Sequence, residues 1–255
     1  MCLVVFGWRY APGRRLALVG NRDEFHARPT APMGWWGEPP LLAGRDLSAG
    51  GTWLGVDARA RFGVITNFRG GRVPPHAPSR GTLIPRYLAG DLAPLRFLEA
   101  LAREGSAYAG FSLLLGDAES LGYYCNQDAT SPRLLGPGVY GLSNATLDAP
   151  WPKLIAAREA LRARLDGDIR EPEELGGLLA SRALAADAAL PDTGVGLELE
   201  RRLSAAFIDG ADYGTRSTTA LVLDAAGRGG IVEDSFGANG RPAASRRFEL
   251  GPPDA

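Results

Sequence analysis

The fold is decided by residues 2–24, CLVVFGWRYAPGRRLALVGNRDE, because two apolar segments flank a turn signal there. Residues 3–9 are rich in β-branched and aromatic side chains, and residues 16–19 form a second apolar run. The Ala-Pro-Gly sequence at 11–13 between them is typical of a turn. The stretch therefore predicts an antiparallel hairpin, whose second strand ends beside the start of the chain.

Cys2 lies at that start. If Met1 is removed, Cys2 becomes the first residue and carries both a thiol nucleophile and a free α-amine. The amine titrates near ~7.7–8 and can accept the thiol proton, while Arg22 and Asp23 supply the charges that favour a thiolate and orient an ammonium. This combination is typical of N-terminal-nucleophile hydrolases. An inert, buried Cys2 and a surface ion pair between Arg22 and Asp23 remain the alternatives.

The remaining strands also come in hairpins, which argues against an alternating parallel sheet. We expect a four-layer αββα sandwich of two antiparallel sheets (α+β) in one domain, residues 1–250, with a loose tail at 251–255. Further strands are predicted at 50–57, 62–66, 111–115, 121–125, 133–135, 139–142, 218–223, 230–233 and 247–250. Helices are predicted at 79–88, 95–103, 150–165 and 172–185, and more weakly at 194–205.

Composition excludes several classes of function. A net charge of −1 and a pI near 6.2 give no electrostatic basis for binding nucleic acid or an anionic membrane. Cys2 and Cys125 are too few for a disulfide framework, and the isolated His26 and His76 predict no metal site. Without a signal sequence or a membrane span, we expect a cytoplasmic protein with a small-molecule partner. Its oligomeric state stays open.

Several short motifs resemble the NRDE family, also called the transport and Golgi organisation protein 2 family. Cys2 precedes Asn-Arg-Asp-Glu at 21–24 and Arg-Pro-Thr at 28–30. Further matching blocks are Gly-Gly-Thr-Trp-Leu-Gly at 50–55, Thr-Asn-Phe-Arg at 66–69, Gly-Leu-Ser-Asn at 141–144 and Tyr-Gly-Thr-Arg-Ser at 213–217. The resemblance extends from Met1 to about Glu233.

This resemblance implies the fold of the N-terminal-nucleophile hydrolases, and choloylglycine hydrolases and penicillin V acylases are the related enzymes. They use a terminal Cys, an Arg and an Asp after the second strand, two Asn residues and a late Arg. Cys2, Asp23, Asn67, Asn144 and Arg216 match this set in order and in kind. Arg22 departs from it, because the relatives usually place that arginine a few residues before the aspartate.

The resemblance thus implies a cysteine amidase acting on a non-peptide C–N bond, with Cys2, Arg22, Asp23, Asn67, Asn144 and Arg216 as its catalytic residues. Asp23 is expected to hold the α-amine, and Arg216 is expected to lower the pKa of the thiol or to fix the hydrogen bonds of the site. Asn144, with Asn67 or a backbone N–H, is expected to bind the oxyanion. Candidate substrate-binding residues are Asn21, Glu24, Arg28, Trp53 and Arg69.

The competing interpretation is a protein that binds or traffics haem or an acyl-CoA or other lipid without turnover. Arg22, Arg28, Arg69 and Arg216 are available for carboxylate or phosphate groups, and Trp35, Trp36 and Trp53 can line an apolar cavity. Possible axial ligands of haem are Cys2, His26, His76, Cys125, Met1, Met33 and the tyrosines. No other cofactor is expected.

Overall fold

A computed structural model of the protein describes residues 2–71 and 73–251. The first strands and helices are β1 (Cys2–Ala11), β2 (Arg14–Phe25), β3 (Thr30–Trp35), β4 (Leu42–Asp46), β5 (Leu54–Val56), β6 (Phe62–Asn67), α1 (Leu83–Leu88) and α2 (Pro94–Ala102). There follow β7 (Phe111–Gly116), β8 (Leu121–Cys125), β9 (Arg133–Leu134), β10 (Gly138–Leu142), α3 (Pro152–Leu165), α4 (Leu197–Arg202), β11 (Tyr213–Asp224), β12 (Gly229–Phe236) and β13 (Pro242–Leu250).

These strands form two antiparallel sheets. The six-stranded sheet has the order β10-β1-β2-β11-β12-β13, and the seven-stranded sheet runs from β3 to β9 in chain order. The predicted opening hairpin is present, with Cys2 opposite Arg22 and Trp8 opposite Leu16. Its second strand also pairs with β11, so the hairpin occupies the middle of the six-stranded sheet.

Side chains of the opening hairpin alternate between two cores, as the two-residue period of a strand requires. Val4 and Phe6 point between the two sheets, where a first hydrophobic core lies. Leu3 and Val5 point the other way, into a second core beneath the outer helices. Because both faces of β1 are covered, the segment is apolar at nearly every position.

Helices cover the outer face of each sheet. Helix α3 begins at Pro152, a residue suited to a first helical turn, and buries Leu154, Ala157 and Leu161 against β1 and β10. On the seven-stranded sheet, α1 and α2 pack on β6 and β8 over a third core. The predicted αββα sandwich of two antiparallel sheets is therefore confirmed.

Several segments differ from the prediction. Strands β3 and β4 were not predicted, because Pro32 and the prolines that follow favour irregular structure; β3 is an edge strand, where proline is tolerated. The expected strand at 50–57 is reduced to Leu54–Val56. The expected helix at 172–185 is a 3₁₀ helix that ends at Leu179, and Gly176 and Gly177 within it disfavour an α-helix.

The last strand, β13, begins five residues before the predicted position 247 and ends at Leu250, as predicted. Of the tail expected to be loose, residues 252–255 lie outside the described part of the chain, as does Met1. Within the described ranges, no helix combines the length and the apolar character that crossing a bilayer requires. The assignment of residues 1–250 to a single domain stays a prediction.

Candidate active site

A cavity of about 850 Å³ opens between the two sheets at the end where β1 begins. The six-stranded sheet contributes Cys2, Arg22 and Arg216 to its wall, and the seven-stranded sheet and its loops contribute Trp53 and Asn67. Segments that are far apart in sequence thus meet around Cys2. The cavity wall is polar as well as apolar, which suits a small molecule with hydrogen-bonding groups.

Cys2 is the first residue of β1 and lines the cavity, although its side chain is only 7% exposed and contacts the core between the sheets. Burial raises the pKa of its thiol above the ordinary value, while the Arg22 guanidinium and the backbone N–H of Asp23 act in the opposite direction. Its carbonyl oxygen accepts a hydrogen bond from Ser143 Oγ at 3.1 Å. The position of Cys2 is therefore fixed by its pairing with Arg22 on β2 and by the residue that follows β10.

Arg22 lies directly across the ladder from Cys2 and is 8% exposed. Its Nη1 donates to Thr30 Oγ1 at 3.4 Å, a long hydrogen bond. The Glu233 carboxylate lies across the same part of the cavity; burial raises its pKa, and Arg22 opposes that increase. Arg22 is thus a cation held beside the thiol with a buried acid as its counter-charge.

Asp23 is almost fully buried, at 1% exposed, and is also among the residues that line the cavity. Its Oδ1 accepts a hydrogen bond from Thr215 Oγ1 at 2.7 Å, and Thr215 Oγ1 in turn accepts one from the Ile208 N–H at 2.9 Å. Burial raises the pKa of the Asp23 carboxyl, and the nearby Lys153 ammonium and Arg22 guanidinium lower it. The carboxylate therefore lies next to the start of β1 in a fixed orientation.

Lys153 is the chain's single lysine and is 7% exposed, at the start of α3. Its Nζ donates to the Leu203 carbonyl at 2.7 Å. Burial lowers its pKa to about 8, and the Asp23 carboxylate works against that decrease. A buried ammonium thus lies within electrostatic range of Asp23, on the side of the sheet opposite the cavity.

The two predicted asparagines have different surroundings. Asn67, at the end of β6, is exposed and lines the cavity. Asn144 is 1% exposed, and its Nδ2 donates to the Asn67 carbonyl at 3.0 Å. The backbone carbonyl of Asn144 accepts a hydrogen bond from the Arg69 backbone N–H at 2.7 Å. The structure thus directs the Asn144 amide at the backbone of Asn67 and leaves Asn67 as the asparagine at the cavity.

Arg216 also lines the cavity, but it makes its hydrogen bonds to the loop after β2. Its Nη1 donates to the carbonyls of Phe25 at 2.9 Å and Arg28 at 3.1 Å. Burial lowers its pKa, and Arg22 acts in the same direction. The guanidinium therefore fixes the loop that carries Arg28 while remaining half-buried at the cavity wall.

Among the candidate substrate-binding residues, Glu24, Arg28 and Trp53 line the cavity. Asn21 and Arg69 are not among the described residues that do so. Asn21 lies beneath the helical layer, where its Nδ2 donates to two backbone carbonyls. Arg69 Nη1 donates to Glu200 Oε2 at 2.6 Å in a buried ion pair, and its guanidinium stacks on Trp151 at 4.6 Å. Strand alternation and this buried carboxylate direct the two side chains away from the cavity.

Four residues that the sequence analysis did not select surround the same site: Arg80, Glu233, Thr215 and Lys153. Lys153 carried a signal, since a single lysine among many arginines is a compositional oddity. Glu233 also carried one, as a charged residue at the end of the apolar run at 230–233. Arg80 and Thr215 carried none beyond the surrounding motifs.

The donors at this cavity do not fit a haem. Of the proposed axial ligands, Cys2 is the one among the described lining residues, and the raised pKa of its thiol opposes the thiolate form that iron requires. Met33 and Cys125 are buried in the core between the sheets. His26 Nε2 lies 3.2 Å from the Gly210 carbonyl. Trp35 and Trp36 are also absent from the described cavity wall.

Comparisons with known proteins give a consistent family. A family model described as Transport and Golgi organisation 2 matches residues 1–238. A Transport and Golgi organization 2 homolog from Mus musculus is 33% identical over 260 residues, covering 92% of this chain and 93% of that protein. The Homo sapiens homolog is 32% identical, with the same coverage of both chains.

A solved structure with a related shape is the Caenorhabditis elegans N-acylethanolamine-hydrolyzing acid amidase ortholog. The TM-score is 0.49 at 7% sequence identity, over 87% of this chain and 92% of that one.

Proposed function

Because the chain belongs to the transport and Golgi organisation 2 family, we propose that it is an N-terminal-cysteine amidohydrolase that cleaves a non-peptide C–N amide bond of a small molecule. One observation carries the proposal. The Cys2 thiol lines a cavity of about 850 Å³, with Arg22 opposite it in the ladder and the buried Asp23 carboxylate next along β2.

The proposal requires removal of Met1, in the cytoplasm where we propose that the protein acts. The small Cys2 side chain suits such processing. The freed α-amine of Cys2 then lies at the start of β1, within reach of the Asp23 carboxylate. Thr215 holds one oxygen of that carboxylate at 2.7 Å, so the acceptor for the amine is already oriented.

In the first half of the reaction, the α-amine takes the thiol proton and the Cys2 sulfur attacks the amide carbon. A C–S bond forms and the carbonyl oxygen becomes an oxyanion. The side-chain amide of Asn67 donates to this oxyanion, since Asn67 lines the cavity while the Asn144 amide is engaged with the Asn67 backbone. The ammonium of Cys2 then gives its proton to the leaving nitrogen as the C–N bond breaks.

In the second half, water attacks the thioester. The α-amine accepts a proton from that water, the C–S bond breaks, and the proton returns to the departing sulfur. A carboxylic acid is released and the thiol is restored. Throughout both halves, the Arg22 guanidinium lowers the cost of negative charge on the sulfur, which burial alone would increase.

The test combines intact mass with turnover. We expect the purified protein to lack Met1 and to release amines from a panel of N-acyl aminocoumarins of varied acyl length. Cys2→Ala should abolish turnover. Cys125→Ala is the matched control, because Cys125 is a free and buried cysteine in the core between the sheets and not at the described cavity wall.

Three results would contradict the proposal. Retained Met1 in an active protein would remove the terminal base from the mechanism. A processed protein that binds the amides but turns over none of them would instead support the carrier interpretation. Equal loss of turnover in Cys2→Ala and Cys125→Ala, with both variants folded, would also rule against Cys2 as the nucleophile.

A further inference from the structure

Four guanidinium groups at the cavity wall, those of Arg22, Arg45, Arg80 and Arg216, have no carboxylate partner within ion-pair distance among the described residues. Arg80 and Arg216 both line the cavity, and neither forms a salt bridge to a described residue. Each makes its hydrogen bonds through one terminal nitrogen, Nη1, to backbone carbonyls. Their remaining N–H donors are therefore available for another acceptor.

Most of the other charges of the cavity wall are compensated, and the exposed Arg45 stacks its guanidinium on the Trp36 ring at 4.5 Å. Arg28 pairs with Asp46 at 2.8 Å and lies 3.8 Å from Glu24. Arg22 and the buried Glu233 balance each other electrostatically. The carboxylate of Asp23 accepts a hydrogen bond from Thr215 and interacts with the Lys153 ammonium. Positive charge thus remains in excess where Arg80 and Arg216 face the cavity.

Arg80 is held in place by an unusually close crossing of two backbones. A Cβ atom added to Gly51 would lie 2.3 Å from the carbonyl carbon of Gly81, so position 51 accepts only glycine without rearrangement. The Thr52 N–H donates to the Gly81 carbonyl at 2.9 Å across the same crossing. Arg80 Nη1 is bound to the Gly110 carbonyl at 2.7 Å. The guanidinium is thereby fixed rather than free to swing into solvent.

Arg80 also acts on the reacting group. Arg80 lies across the cavity from Cys2. Burial lowers the pKa of the Arg80 guanidinium, and a Cys2 thiolate opposes that decrease, because its negative charge favours the protonated form. A desolvated cation in this position stabilises any anion that enters beside the thiol. An arginine fork binds carboxylate and phosphate oxygens with two parallel hydrogen bonds, which a neutral group does not offer.

We propose that the substrate is an anionic amide, whose carboxylate or phosphate group is bound by Arg80 and supported by Arg216. This inference rests on the proposed function, since it names the substrate class of the same cavity. The anion replaces water at the spare N–H donors of the two guanidinium groups. It also places the scissile carbonyl in a fixed relation to Cys2, because Arg80 itself is fixed.

Binding to the Cys2→Ala protein tests this inference without turnover. The ligands are N-octanoylglycine, with the anion on the amine half, and N-octylsuccinamic acid, with the anion on the acyl half. Each is compared with its uncharged primary amide by calorimetry. We expect at least one acid to bind about 10-fold or more tightly than its amide, in line with one charge-assisted pair. A phosphonate in place of the better carboxylate then distinguishes the two anion types.

In the double variant that combines Cys2→Ala with Arg80→Met, the acid and its amide should bind almost equally. Arg80→Lys in place of Arg80→Met should restore part of the preference for the acid. Arg96→Met is the matched control, because it removes the same charge from an exposed helical position in α2. Equal binding of acids and amides, or a preference unchanged by Arg80→Met in a folded protein, overturns the inference. If the protein prefers the acids but hydrolyses none of the amides, the proposed amidase activity is wrong and the proposed anion site is retained.

Discussion

The end of β2 presents two different faces, and consecutive residues of the Asn-Arg-Asp-Glu motif are divided between them. Arg22 points into the cavity beside Cys2. Asn21 points away from it, beneath the helical layer, and Thr215 binds the Asp23 carboxylate on that side, although Asp23 also lines the cavity. A strand alternates its side chains, so a contiguous motif supplies two layers of a site. We infer that one layer contacts the substrate and the other holds the chain start in position.

The two faces also differ in how their polar groups are satisfied. On the helical face, Asn21 donates to the carbonyls of Leu179 and Ala206 and accepts from Thr218 Oγ1 at 2.7 Å. On the cavity face, Arg22 makes one long hydrogen bond, to Thr30. Buried polar groups that bond fully are rigid, whereas those with spare capacity are available to a ligand. The contrast therefore separates positioning residues from binding residues.

Asp23→Asn is expected to cause the largest effect, because it removes the only negative charge that the motif places on the helical face. Without it, the Cys2 ammonium formed during the reaction lacks a counter-charge in a buried site, at a cost of about 4 kcal/mol. We expect kcat to fall about 10³-fold, measured on the processed protein. Thr215→Val, which keeps the charge and removes only its hydrogen bond, should cost far less. Equal losses would show that geometry and not charge is required.

Asn67 and Asn144 offer the next test, because one is at the cavity and the other is behind it. Asn67→Ala removes the proposed oxyanion donor and should lower kcat about 10²-fold with little change in KM. Asn144→Ala removes the support of the Asn67 backbone, so its effect should appear mainly in the free energy of unfolding. If Asn144→Ala lowers kcat more than Asn67→Ala at equal stability, the two roles are reversed.

Much of the fold could be predicted, because local sequence patterns determine many of its strands and helices. The opening hairpin has two apolar runs that flank a Pro-Gly turn, so its two strands pair locally. Strands β3 and β4 escaped prediction, since short strands with a proline at a sheet edge lack such a pattern. The boundary of the 3₁₀ helix at Leu179 depended on packing against β2 and β11, which no local signal encodes.

The site was predictable only in part, for a related reason. Sequence motifs identified Cys2, Arg22 and Asn67 at the cavity, but strand alternation decides which face a neighbour occupies. Arg69 is directed away by the buried Glu200, which lies 131 positions along the chain. Such tertiary partners cannot be read from a motif. Arg80 was missed for the same reason, since the crossing of Gly51 and Gly81 that positions it exists only in three dimensions.

Lys153 allows a measurement on the helical face that is independent of turnover. Burial lowers its pKa from 10.5 to about 8, so between these values the unfolded chain binds more protons than the folded one. The free energy of unfolding therefore gains from this group as the pH rises. We expect the stability of the wild type relative to Lys153→Met to increase by about 2.5 kcal/mol between about pH 7 and about pH 10.

Urea unfolding at several pH values measures this difference. Arg158→Met is the control on the same helix, because it removes one positive charge that is paired with Asp148 at 3.0 Å rather than buried beside Asp23. Its stability difference should stay level across the range. If the stability difference between the wild type and Lys153→Met also stays constant with pH, Lys153 is hydrated in solution. The helical face would then not be the dry, buried layer that the comparison of the two faces assumes.

Asn21→Ala should give the smallest effect and the cleanest separation of the two faces. The substitution leaves the Leu179 and Ala206 carbonyls without their donor in a buried layer, which costs about 2 kcal/mol of folding free energy. Because Asn21 contacts neither the cavity nor Asp23's partner Thr215, kcat should stay within about 2-fold once the protein is folded. A large fall in kcat at unchanged stability would place Asn21 in the reacting layer, and the division of the motif into two faces would fail at its first residue.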